Sequence, residues 1–413
     1  MTEKERIIAI SDILDGATAH INILRNIAWP NQVQTDFFRN KAQKLPVVVY
    51  APYDAKPVLD EVKKARNLLS GNDVIDQWAG RIADMLESSA LLLQTRGTQE
   101  FFEHSTTMYG SPKDLLPDGE STALDLANHF GTLFENIKNF DLGTPPKDSV
   151  MPEYLAKKMK RAVKKMFGKL GPKIEMDDSI SSNAIAGRRR IAINPNAIFS
   201  DKDIKQLIEH EVHIHVATSM NGMAQDQLKI LAAGHSGTTE TQEGLAVFSE
   251  FITGSIDLDR TRRLSDRVIA TQMAIDGADF IQVYQYYLEK TDNPGKAFDG
   301  AKRVFRGGDV KGRAPFTKDI VYLQGLVRVQ NFLTVAISTG KFEYINLLFC
   351  GKLDLSDIPA LKQLNEMGLI RPPQYLPPWI VDKRYLLTHL TYTSFLSNKE
   401  SSVLHDHYKS LLV

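Results

Sequence analysis

The chain has 413 residues, enough for two or three packed layers or for two domains. Its hydrophobic fraction of 43% and charged fraction of 24% are those of an ordinary globular protein, which excludes collagen-like and highly charged disordered classes. Lys plus Arg (50) balances Asp plus Glu (50), so the whole-molecule field gives no reason to expect nucleic acid or acidic lipid as the main partner.

The opening residues, Met1-Thr2-Glu3-Lys4-Glu5-Arg6, are charged, and no apolar segment with a small-residue cleavage site follows; no secretory signal is expected. Residues 6–27 carry Ile7, Ile10, Leu14, Ile23 and Ile27 at helical spacing until Pro30 breaks the pattern. Residues 57–69 and 74–102 read the same way, and Val47-Val48-Val49-Tyr50 reads as a short strand. Residues 141–148, with Gly143, Pro145 and Pro146, form the expected linker. A mainly helical region over 1–148 and a second domain over 149–413 follow from it.

Beyond the linker, residues 152–170 form a basic amphipathic helix. Leu155, Met159 and Phe167 lie on one side and Lys157, Lys160, Arg161 and Lys164 on the other; Gly171-Pro172 stops it. A charged face of this kind is usually solvated. Two strands are expected at residues 173–176 and 190–193, separated by a turn-rich stretch over 177–187. Ser200 then has the features of a helix N-cap, with Asp201 and Asp203 in the first turn. From there to the C-terminus the pattern is helical. The most apolar long stretch, 321–337, is interrupted by Gln324, Arg328, Gln330 and Asn331 and reads as a buried core helix, so no membrane span is expected. Cys350 is the only cysteine, so no internal disulfide can form, and a cytoplasmic location is expected. His405 and His407 lie near the C-terminus, where a frayed tail is commoner than a metal site.

The segment Glu209-His210-Glu211-Val212-His213-Ile214-His215 places three histidines within six residues. Imidazole is a preferred zinc ligand, and an acid beside a ligand is well placed to take a proton from zinc-bound water. The familiar H-E-x-x-H pattern is absent, because position 214 is Ile; the spacing is H-E-x-x-x-H. Five residues at about 100° each set the second ring roughly 140° around from the first. Both can face one metal only if the helix widens by a π-type turn or unwinds. His210 with His213, about 60° apart, is a rival pairing, and spacing alone does not choose between them. Glu243, in Thr241-Gln242-Glu243-Gly244-Leu245-Ala246, opens a further helical pattern and is the candidate third ligand; small residues at 244 and 246 allow close helix approach.

The stretch from His210 to Thr218, followed by Gln242-Glu243-Gly244-Leu245-Ala246, resembles the bacterial QEGLA-motif family. That family is related to the microtubule-associated tyrosine carboxypeptidases, which remove the C-terminal tyrosine of tubulin. Arg303 to Gly308 and Phe316 to Leu323 resemble them too, in the same order. The resemblance implies a zinc metallopeptidase of the gluzincin type, with His210, His215 and Glu243 as ligands to Zn2+ and Glu211 as general base. It selects His215 over His213. It also implies a fold of the α+β class, predominantly helical: an N-terminal helical region and a zincin-like catalytic domain with a small β-sheet. A carboxypeptidase needs a cation for the carboxylate of a peptide or protein C-terminus; Arg303, Arg306 and Lys318 are the candidates. Tyr322 is the candidate donor to the oxyanion. The strand at 190–193 is the candidate for pairing with an extended substrate. Two alternatives are a catalytically idle binding protein that keeps zinc for stability, and a hydrolase of a non-peptide amide.

Overall fold

The computed structural model describes residues 1–397 apart from 72, 138, 142, 144–149, 179 and 181–182. Most of the expected linker, and His405 and His407, therefore lie outside the described residues. The protein is predominantly helical with one small three-stranded sheet.

Local signals explain where the N-terminal helices begin and end. Thr2 and Glu5 form a reciprocal capping box at the start of Glu3–Thr18. The expected helix over 6–27 stops at Thr18, and Asn22 caps a separate short turn, Ile23–Asn26. Asp73 caps Val74–Gln94 through the amides of Ile75 and Asp76. That helix also ends earlier than its apolar pattern, because Gly97 takes φ 82° and Thr98 caps the next helix, Gln99–Tyr109. The segment Val47-Val48-Val49-Tyr50 is not a strand. It runs without secondary structure, Val47 and Val49 exposed, and the Tyr50 hydroxyl accepts from Trp29 Nε1 and from the Gly307 amide.

The sheet has the order β1-β3-β2, with β1 (Lys173–Met176), β2 (Ala184–Ala186) and β3 (Arg190–Ile193). β1 pairs parallel to β3 and β2 antiparallel to it. The third strand, β2, falls within the stretch read as turn. Because β3 is central, both of its edges are taken, and it cannot pair with an extended substrate as expected; the open edges belong to β1 and β2.

The sheet packs with the basic helix Pro152–Phe167 and with Val212 and Val216 in one apolar cluster. A larger core joins Ile10, Leu86 and Phe101 of the N-terminal helices to Ile214, Leu245, Phe248 and Val329, so residues on both sides of position 148 share it. Its centre is the crossing of two helices, Ser236–Ile252 and Val321–Ser338, at Gly244 and Gly325. By length and composition alone, Glu3–Arg39 and Lys318–Ser338 are apolar enough to cross a membrane. The first is broken into three helices, and the second runs into the central crossing helix.

Candidate metal centre

The chain turns from an α-helix, Asp201–Leu207, into a nine-residue π-helix, Ile208–Val216, and back to α at Ala217. Ser200 and Asp203 fix the start of this composite helix by a capping box. The wider turn is what the five-residue spacing requires, and it brings both imidazoles to one face: the His210 and His215 rings lie 4.8 Å apart, nearly perpendicular at 81°.

Glu243 reaches the same point from the facing helix Ser236–Ile252. One ligand atom from each of His210, His215 and Glu243 lies within 4.8 Å of the others. Glu243 Oε2 is 3.3 Å from His210 Nε2 and 3.6 Å from His215 Nε2, yet it is buried without a hydrogen-bond partner. The approach of this helix depends on Gly244. A Cβ there would stand 2.3 Å from the carbonyl carbon and oxygen of Gly325, closer than any packed pair of atoms.

A second set of charges holds the first in place. Glu250, two turns beyond Glu243 and fully buried, accepts at 2.7 Å from His210 Nδ1 and at 2.7 Å from Gln206 Nε2. The guanidinium of Arg260 donates twice to it, at 3.1 Å each. The His210 tautomer and ring plane are thereby set, leaving Nε2 toward Glu243. Burial opposes ionisation of Glu250, but Arg260 and His210 outweigh it and bring its carboxyl down to about 2. Burial likewise opposes protonation of His210, and its two carboxylate neighbours override this to raise it to about 10. His215 moves the other way: it is equally buried, shares only Glu243, and feels the charges of His210 and Lys352. Glu243 itself is held well below the usual carboxylate range, by Lys318 and the two imidazoles acting against burial.

Glu211, buried within the π-segment, accepts from the Ala186 amide of β2 at 2.8 Å, so its carboxylate is tied to the sheet edge. His213 faces away from the trio and pairs with Glu209 Oε2 at 2.9 Å. Lys318 donates to Glu243 Oε1 at 3.2 Å, and its amine lies 5.3 Å from the Tyr322 ring, so both stand beside the trio. Arg303 and Arg306 do not touch it. Arg303 is clamped on Asp319 by two bonds of 2.6 and 2.8 Å, and Arg306 is buried over the Phe316 ring. Three participants escaped the sequence reading: Glu250, Arg260 and Lys352, the last donating to His215 O and Gln242 Oε1. Glu250 lies seven residues after Glu243, hence on the same helix face, and that spacing was a readable signal. Arg260 and Lys352 carried none.

The model of the family described as microtubule-associated tyrosine carboxypeptidase matches residues 35–398. No curated protein matches the chain. A crystal structure of a provisionally named lipoprotein from Colwellia psychrerythraea is 14% identical, covering 97% of this chain and 77% of that one, at a TM-score of 0.41, a likeness too distant to define the fold.

Proposed function

The chain belongs to the microtubule-associated tyrosine carboxypeptidase family, and we propose that it is a zinc-dependent carboxypeptidase acting on a peptide or protein C-terminus. The observation that carries this reading is the buried Glu243 Oε2, lacking a hydrogen-bond partner and aimed between His210 Nε2 and His215 Nε2. Two imidazoles and a carboxylate are a donor set that zinc takes, and three ligands from the protein leave a position open for reaction. Bound there, zinc would supply Lewis acidity to the scissile carbonyl and to an attacking water.

The chain's own residues supply the rest. Glu211 accepts the proton of the attacking water and returns it to the leaving amine, and the Ala186 amide keeps its carboxylate aligned for both transfers. Glu250 and Arg260 keep His210 turned toward the trio. The Tyr322 hydroxyl is the donor to the developing oxyanion, with Lys318 next to it. Lys318 supplies positive charge beside Glu243, whereas Arg303 is spent on Asp319. β2, with an open edge and its Ala186 amide already on Glu211, is the strand against which an extended substrate lies. The metal-bearing composite helix beneath a small sheet, with the third ligand on the next helix, fits a zincin-like, gluzincin-type arrangement.

The test is metal content of the purified protein together with peptide cleavage with and without a chelator. Glu211→Gln keeps its zinc and loses turnover by about 10²- to 10⁴-fold. Cleavage by Glu211→Gln as fast as by the wild type, or a zinc-loaded wild type that cleaves no peptide, overturns the proposal.

A further inference from the structure

Tyr322 is the meeting point of three cations: its ring lies 5.3 Å from Lys318 Nζ, 5.1 Å from the Arg267 guanidinium and 5.9 Å from that of Arg260. Two of the three are engaged, Lys318 by Glu243 and Arg260 by Glu250. Arg267 is not. Its closest carboxylate oxygen, Asp319 Oδ2, is 3.8 Å away, beyond hydrogen-bond distance, and is already held by Arg303 at 2.6 Å. Among the described residues no group accepts a hydrogen bond from the Arg267 guanidinium, although its side chain is only 17% exposed.

A guanidinium desolvated to that degree without acceptors is costly. The surroundings add to the cost, because Arg303 stands against the same Asp319, and burial with this like charge pushes Arg267 down to about 10. The site thus has more positive charge than its own carboxylates neutralise, and the Arg267 guanidinium, packed 5.1 Å from the Tyr322 ring, has no hydrogen-bond acceptor of its own among the described residues. A carboxylate entering there would take both N–H groups of the fork, which is the geometry Arg binds best.

We propose that Arg267 is the specificity-determining residue of this site, binding the α-carboxylate of the substrate's last residue across Tyr322 from His210, His215 and Glu243. The inference rests on the peptidase reading for the identity of the ligand, and it moves the carboxylate clamp from Arg303, whose fork is consumed by Asp319, to a residue on the Leu258–Ile275 helix. Arg303 becomes the positioning residue that keeps Asp319 from capturing Arg267.

The experiment uses the full chain and three peptides of one sequence: one with a free C-terminus, one with a C-terminal amide, and one with a free C-terminus but its penultimate Glu replaced by Gln. The wild type is expected to favour the free acid over the amide and to ignore the Glu replacement. Arg267→Gln raises KM for the free acid about ten- to hundredfold and collapses the preference; Arg267→Lys, which keeps the charge, recovers part of it. Binding is measured separately by calorimetry with N-acetyl-L-phenylalanine and its amide on the Glu211→Gln protein, where only the acid binds and Arg267→Gln added to Glu211→Gln weakens it tenfold or more. If Arg267→Gln retains the preference for acid over amide in either assay, the assignment is wrong. A preference that follows the penultimate Glu overturns the terminal carboxylate as the ligand. Should the wild type cleave no peptide, the peptidase reading fails and the binding assay alone decides whether Arg267 takes a carboxylate.

Discussion

Gly244→Ala is the sharpest probe of how the core positions the candidate site. The added Cβ would lie 2.3 Å from both C and O of Gly325 and 2.8 Å from its Cα. Ordinary carbon contacts fall at about 3.5–4.0 Å, so the two central helices must part by roughly 1 Å. No side chain can rotate away, because every clashing atom is backbone. Thr241 and Gln242 before it and Leu245 and Ala246 after it are buried, so no slack is available nearby. Overpacking of this kind costs about 1–3 kcal/mol and occasionally more; the upper end is expected here. The displacement also moves Glu243, whose Oε2 now stands 3.3 and 3.6 Å from the two imidazole nitrogens. On the proposed reading zinc needs bonds of about 2.0–2.2 Å to all three, so a retreat of that size is expected to weaken metal binding by tenfold or more. Urea unfolding and competition with a chromophoric chelator measure the two effects. Gly16→Ala is the control: that helical glycine has nothing within 4 Å of its would-be Cβ, and the change should stabilise by about 0.5–1 kcal/mol. A Gly244→Ala protein with wild-type stability and metal affinity would refute the reasoning.

Further outcomes follow from the charges around the trio. Glu250→Gln strips the anion from Arg260 and from His210 Nδ1 at a fully buried position; it should cost about 3–5 kcal/mol in urea unfolding and ten- to hundredfold in metal affinity. Unchanged metal affinity in that variant would mean that Glu250 does not orient His210. Glu240 gives a pH signature. Burial outweighs its contact with Arg328, which Asp354 shares, and raises its carboxyl to about 7. A group whose folded pKa is raised stabilises fully below its unfolded value, about 4.3, and loses that contribution as pH climbs through 7. Glu240→Gln should therefore flatten the fall in stability between pH 5 and 7 and exceed the wild type at pH 8 by roughly 1–2 kcal/mol; parallel stability curves for the two proteins would contradict it.

The residues that the motif singled out and those that tertiary structure recruited differ in kind. His210, Glu211 and Glu243 could be picked out by residue type and spacing, but only the family resemblance selected His215 over His213, and angular arithmetic called for a widened helix only once that pairing was taken. Local signals also told truly at Ser200 and at β1 and β3. β2 was illegible because three residues, Ala184–Ala186, are too short to show alternation inside a stretch rich in Ser, Asn and Gly. The Val47–Tyr50 segment failed in the opposite direction: its β-branched residues favour extended backbone, and the chain is extended, but no neighbouring strand offers a ladder. Arg260 and Arg267 sit on a helix whose pattern is that of any amphipathic surface helix. Their roles arise only because that helix is packed beside Tyr322, a fact no window of sequence contains.

The distribution of satisfied and unsatisfied charge gives the candidate site its direction. Glu250 is met by Arg260 and His210, and Asp319 by Arg303. Each of these buried ions is closed by partners from the chain, as buried charges must be to persist. Glu243 is different: Lys318 answers Oε1, while Oε2 is left with two imidazole nitrogens at ion-pair distance and no hydrogen bond. Arg267 is the complement, a guanidinium that stands 3.8 Å from Asp319 and has no hydrogen-bond acceptor among the described residues. One is an acceptor short of a cation, the other a donor set short of an anion, and the Lys318–Tyr322 contact lies between them. A protein that folded only for stability would gain by pairing them or by replacing both with apolar groups. Holding them apart is what the proposed function requires, with a metal ion as the ligand at one end and the free carboxylate of a chain terminus at the other.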